Sequence, residues 1–160
     1  MSNLKATAIV ETPYARAADL VERFFTSQSE GAGTMRLSAP GAGLGIDGFA
    51  VGHDVLVRFR RRQRKNEAIV FDLHWESASG GPYPTFGGTL TVAEDETYEN
   101  CRLILEGSYT PPGSVAGAVF DAALGSRIAH ATAEELLQRI RKFLRDTFEA
   151  SEATKRSAQG

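Results

Sequence analysis

The chain has few of the residues that most often build chemistry. It holds one cysteine, one tryptophan, two methionines and three histidines in 160 residues. A lone cysteine, Cys101, cannot close an internal disulfide, so the fold does not draw on an oxidising compartment. His53, His74 and His130 are scattered, and neither an HExxH pair nor paired CxxC motifs occur. No metal centre is therefore expected. A GxSxG elbow, a phosphate-binding loop and a dinucleotide fingerprint are all missing, and no cofactor is implied. Gly41, Gly43 and Gly45 do not stand between a strong strand and a helix, so they make no phosphate cradle. No apolar run approaches the roughly 18 residues that a membrane span needs. Met1 to Ala8 lacks an apolar core with a small-residue cleavage site, so no secretory signal is expected and the cytosol is the default location.

The chain also lacks an excess of one charge. Net charge is −2 and the pI about 5.9, with 24% charged and 42% hydrophobic residues. These values exclude an obligatory electrostatic attraction to nucleic acid or anionic membrane. The length suits one domain, residues 1–150, followed by a small, polar and frayed tail over 151–160.

Lys5 to Glu11 reads as a first strand. Thr12 is placed as an N-cap with Pro13 at the first helical position. Leu20, Val21, Phe24 and Phe25 recur at helical spacing, which predicts an amphipathic helix ending near Thr26. Residues 27–53 hold seven of the 16 glycines. They leave room for a short strand at Thr34 to Ser38 and another near Leu44 to Ile46. From Asp54 onward the period changes to two. Val55, Val57 and Phe59 alternate with arginines. Ile69, Phe71, Leu73 and Trp75 alternate with Val70, Asp72, His74 and Glu76. Phe86, Gly88, Leu90 and Val92 follow, then Leu103, Leu105, Gly107 and Tyr109. Four successive strands with one apolar and one mostly wet face, joined by short links, predict an antiparallel meander. Its apolar face must be covered. The remaining cover is Pro112 to Glu149, with Phe120, Leu124, Ile128, Leu137, Ile140, Leu144 and Phe148 at helical spacing. One long helix bent near Gly125-Ser126 is favoured. Two helices, the second starting at a Thr132–Glu135 capping box, are the alternative. The fold class is thus α+β, a curved antiparallel β-sheet wrapped around a long C-terminal α-helix.

The order strand, helix, Gly-rich strands, long meander, long terminal helix resembles the helix-grip superfamily. That group, SRPBCC, includes START lipid-transfer domains, the birch-pollen-allergen family and polyketide cyclase/dehydrase-like proteins. The resemblance covers about Ala6 to Thr147. It is sharpest in the segment LILEGSYTPPGSVAGAVFD, from Leu103 to Asp121, where a last strand ending in Gly-x-Tyr meets a Pro-Pro-Gly turn and a helix with an early Asp. The short second helix expected before the first long strand is not evident. The resemblance implies a cavity between helix and sheet that opens at the Gly/Pro-rich end. The residues expected to line it are Phe59, Phe71, Leu73, Trp75, Phe86, Leu103, Leu105, Tyr109, Phe120, Leu124 and Ile128. The same side chains would also serve as an ordinary filled core. Tyr109, Arg127 and His130 are the groups that could orient a ligand or act as acid or base. His130 and Glu134 stand at i, i+4, usually a surface relationship, and Asp121 and Arg127 do not share a face.

Arg58 to Lys65 carries six positive charges and Glu94 to Glu99 four carboxylates. In a meander both turns fall at one end of the sheet, where they are expected to offset each other. Phe59 belongs to the apolar face, and aromatic residues are not interleaved with the arginines as stacking platforms would require, so nucleic acid is not an expected partner. Asp72, His74 and Glu76 share a strand face that is read as solvated convex surface. Cys101 is read as a buried, inert thiol. Three readings of function follow. The first is a carrier or sensor of a small apolar ligand, a lipid or an aromatic polyketide-like molecule. The second is a cyclase or dehydratase acting on such a ligand. The third is an interaction module with a filled core. A homodimer is compatible with each.

Overall fold

A computed structural model describes residues 2–31, 33–39, 53–62, 69–80, 83–110 and 122–159, excluding the side chains of 39, 53 and 122–124. Strand β1 (Ser2–Val10) leads into helix α1 (Tyr14–Gln28). Strands β2 (Ser29–Gly31), β3 (Thr34–Ala39), β4 (His53–Arg61), β5 (Ile69–Ser77), β6 (Thr85–Glu94) and β7 (Cys101–Thr110) follow, and α2 (Ala122–Gln159) closes the chain. The seven strands form one antiparallel sheet in the order β1-β7-β6-β5-β4-β3-β2. The first strand is thus drawn to the far side of the last. The architecture is α+β, a curved antiparallel sheet with a long C-terminal helix.

The alternation fixes which face is inside. Phe71, Leu73 and Trp75 on β5 pair with Leu90, Gly88 and Phe86 on β6. The β6 residues in turn pair with Leu105, Gly107 and Tyr109 on β7. Because strand side chains alternate sides, all of these project from one face. Every one but the glycines is buried in a single core cluster with Ile128, Ala129, Ala133, Leu136, Leu137, Ile140 and Leu144 of α2. Helix α2 packs on β1, β7 and β3, and α1 packs on α2, β6 and β3. Among the described residues, no helix is long and apolar enough to cross a membrane.

Several local expectations are corrected. Thr12 does not cap α1: Pro13 holds the cap position with no side-chain cap bond, and the backbone N–H groups of Arg16 and Ala17 donate to the Pro13 carbonyl at 2.9 Å. The Thr12 hydroxyl is turned inward instead, since the residue is fully buried. Thr132 does not start a second helix, because its hydroxyl donates to the Ile128 carbonyl at 2.7 Å within continuous α2. Residues 151–159 are not frayed but continue α2. Their composition, rich in Ala, Glu, Lys and Arg and free of Gly and Pro, favours helix. Lys155 also pairs with Glu152 at 3.3 Å, and Arg16 of α1 reaches the Ser151 hydroxyl at 3.5 Å. The strand suggested at Thr34 to Ser38 is β3. The one near Leu44 to Ile46 lies outside the described residues.

The charged hairpins are compensated locally rather than by each other. Arg58 pairs with Glu76 at 3.1 Å, Arg62 with Asp72 at 2.8 Å, and Arg61 with Glu22 of α1. Asp95 takes Arg102 at 2.9 Å. Among the described residues no ion pair joins the two hairpins. The adjacent strand offers a cross-strand partner closer than the other turn can.

Candidate functional site

The interior divides into two halves. In one, α1 presses aromatic rings onto β4 and β5. The Phe25 ring stacks on Phe59 with centroids 4.7 Å apart and sits 5.3 Å from that of Phe71. These rings spend their apolar surface on one another, so Phe59 and Phe71, expected to line a cavity, are held by α1 instead.

The other half lies under the first turns of α2, at the sheet end where β3, β5 and β7 finish. Trp75 stacks on Phe86 with centroids 4.1 Å apart and planes within 19°. Phe86 pairs across the ladder with Tyr109, whose ring meets His130 of α2 edge-on at 6.4 Å. Gly88 and Gly107 give Phe86 room to lie flat: a Cβ on Gly107 would come within 2.9 Å of the Phe86 Cζ. Ile128 is buried in the same core cluster. Trp75, Phe86, Tyr109 and His130 are brought to one end. Leu73, Leu103 and Leu105 are buried further along the sheet. Phe120, Asp121 and the Leu124 side chain lie outside the described residues.

Arg127 is corrected as an inward-facing candidate. It falls with Glu134 and Gln138 on the exposed stripe of α2, while Ile128, Thr132 and Leu136 face in. An inward guanidinium would have needed a buried counter-charge. His130 is half-buried and does not pair with Glu134. Its Nδ1 lies 2.8 Å from the Ser126 carbonyl oxygen. A carbonyl only accepts, so Nδ1 carries the proton, and in the neutral ring Nε2 is the acceptor.

Tyr83 and Thr132 were not legible in the sequence. The Tyr83 hydroxyl bonds Thr132 Oγ1 inside the protein. Because Thr132 gives its own proton to Ile128, Tyr83 must donate. Burial pushes the Tyr83 phenol above its ordinary range. Tyr83 stands between Gly81-Pro82 and Pro84, in a stretch without period. The one available signal was a large aromatic inside a Gly/Pro-rich link.

Other candidates stay apart from this end. His74 lies on the opposite sheet face, between Asp72 and Glu76, whose carboxylates are engaged by Arg62 and Arg58. Among the described residues no three metal-ligating side chains gather. Cys101 is fully buried, and burial, then the nearby Asp95 carboxylate, push its thiol up to about 11. A groove of about 340 Å³ runs outside the core between Phe24 and Gln28 of α1 and Arg139, Lys142, Phe143 and Asp146 of α2.

Solved structures share this architecture. A conserved protein from Geobacillus kaustophilus matches with a TM-score of 0.59 at 13% identity, covering 91% of this chain and 97% of that one. XoxI from Bacillus cereus matches at 0.57 and 13%, covering 92% and 98%. A Thermus thermophilus protein matches at 0.54 and 13%, covering 91% and 99%. At such identities the likeness is one of fold: one antiparallel sheet with a C-terminal helix, compatible with the helix-grip arrangement. No protein-family profile matches the chain, and no curated protein sequence matches it.

Proposed function

We propose that this protein is a helix-grip binding protein of the SRPBCC type. In this reading it holds a small, largely apolar molecule between the sheet and the start of α2, at the Trp75–Phe86–Tyr109 end. The observation that carries it is the composition of that end. The Trp75–Phe86 stack leads through Tyr109 to His130, and the Tyr83–Thr132 hydroxyl pair is buried within the same core. That combination is the usual chemistry of a small-molecule site. The opposite half offers only hydrocarbon that is already engaged around Phe25. Apolar surface would supply the affinity, at about 25 cal/mol per Å² removed from water, and the polar groups would set orientation.

A second reading, an enzyme acting on the same kind of molecule, draws on His130. With Nδ1–H fixed on the Ser126 carbonyl, its Nε2 lone pair is an acceptor suited to a general base.

Two measurements test the binding reading. Native mass spectrometry of the purified protein, compared with its denatured mass, should show extra mass that denaturation removes. Trp75 is the chain's one tryptophan, so its emission reports this end alone. Titration with the uncharged probe N-phenyl-1-naphthylamine should quench that emission saturably. A bare native mass together with unchanged Trp75 emission would instead favour an interaction module with a filled core.

A further inference from the structure

Trp75 is fully buried, and its indole N–H is a buried donor with no partner among the described residues. This is costly, because an unmet buried donor gives up its hydrogen bond to water and gains none in return. Its ladder neighbours cannot help, since Val57 on β4 and Phe86 on β6 carry no acceptor in their side chains. The backbone carbonyls of the flanking strands serve the sheet ladder. The buried Tyr83 and Thr132 hydroxyls are committed elsewhere, with Tyr83 donating to Thr132 and Thr132 to Ile128. A phenylalanine at 75 would keep a stacked ring on Phe86 without an unpaired donor.

Resting on the binding reading above, we infer that Trp75 is the orienting donor of the site, and that its ligand presents a neutral oxygen acceptor to the indole N–H. Neutrality follows from the surroundings. Among the described residues no lysine or arginine is buried, and His130, with Nδ1–H on the Ser126 carbonyl, turns an acceptor nitrogen outward in its neutral form, which suits no carboxylate. Arg127, the nearest cation on this stretch of α2, is exposed. Burying an unpaired carboxylate would cost far more than the indole bond returns. The class that fits is a flat or ring-bearing apolar molecule carrying a carbonyl, ether or hydroxyl oxygen. A free fatty acid in its ionised form does not fit.

The test uses three probes of one shape: 2-acetylnaphthalene, 2-isopropenylnaphthalene, in which CH₂ replaces the carbonyl oxygen, and 2-naphthoate. Binding to the full chain is read by calorimetry, and the single indole ¹H–¹⁵N resonance is followed by NMR. The ketone should bind about tenfold tighter than the hydrocarbon, from one hydrogen bond gained at a buried donor. It should also move the indole resonance, and naphthoate should bind weakest. In Trp75→Phe, checked as folded by its melting curve, the ketone should lose its advantage over the hydrocarbon, so that the two bind alike however much affinity the smaller ring takes from both. Equal binding of ketone and hydrocarbon would overturn the orienting role and leave the binding reading standing. Tightest binding by naphthoate would overturn the neutral class. Failure of all three to bind, with an unmoved indole resonance, would overturn the pocket reading and this inference with it.

Discussion

Gly88 and Gly107 stand opposite each other on β6 and β7, so close that a Cβ on Gly88 would lie 2.7 Å from both the Gly107 Cα and the Phe86 Cζ. The facing backbone is closer still to that Cβ, at the Glu106 carbonyl oxygen, so the paired strands and the Phe86 ring together fill the space of two side chains. Gly88→Ala should therefore displace Phe86 from its stack on Trp75. The expected cost is about 1–3 kcal/mol, the usual penalty for overpacking a filled interior. Urea unfolding followed by Trp75 emission measures it, and the native emission maximum should shift at the same time. An alanine tolerated without loss of stability would mean that the two strands have slack.

The Tyr83 phenol should make stability fall in alkali. Its pKa is raised in the folded state above the ordinary 10.0, so the fold favours the protonated form. The resulting stabilisation is fully present below pH 10 and drains away as pH climbs through the raised value. Tyr83→Phe should lose about 1 kcal/mol at neutral pH, for the hydrogen bond to Thr132. Its urea midpoint should then fall less than that of the parent above pH 10.

Cys101 should resist thiol reagents. The side chain is buried and its thiol is raised to about 11, so almost none is thiolate at pH 8. Ellman's reagent should label it only as fast as the protein opens, and at once in 6 M guanidinium. Rapid labelling of the native protein would show that β7 frays at its first residue.

Removing 151–160 should lower helix content but barely touch stability. The stretch 153–159 is exposed, and one 3.5 Å hydrogen bond from Arg16 to Ser151 ties its start to the body. Surface changes of this kind stay near 0.5 kcal/mol, which corresponds to about 2 °C in Tm. Far-UV circular dichroism should show the loss of helical signal that a frayed tail would not give.

The strands were legible because each has one buried face, which writes a period of two into the chain. The Phe71-Leu73-Trp75 alternation of β5 carries over directly into its inward positions. The end of α2 was not legible, because 151–159 buries no apolar stripe and owes its helix to propensity and local pairs such as Glu152–Lys155. The start of α1 misled for a physical reason: Thr12 has the chemistry of a cap, but the tight turn from the Thr12 N–H to the Val10 carbonyl, 2.8 Å, carries its hydroxyl into the core. At the site, the inward aromatics could be read from alternation. Tyr83 and the unmet Trp75 N–H could not, because pairing in three dimensions leaves no trace in spacing.

The pairing of β1 with β7 has a consequence for how the molecule comes into being. Ser2 meets Tyr109 and Val10 meets Cys101, so β1 leaves the ribosome about ninety residues or more before the neighbour it pairs with. Until then its hydrogen-bonding edge, with Leu4 and Val10 alternating along it, is open to any passing strand. Contacts this distant along the chain slow the search for the native state. Nascent chains stalled before β7 emerges are thus the species most exposed to mispairing and to capture by chaperones.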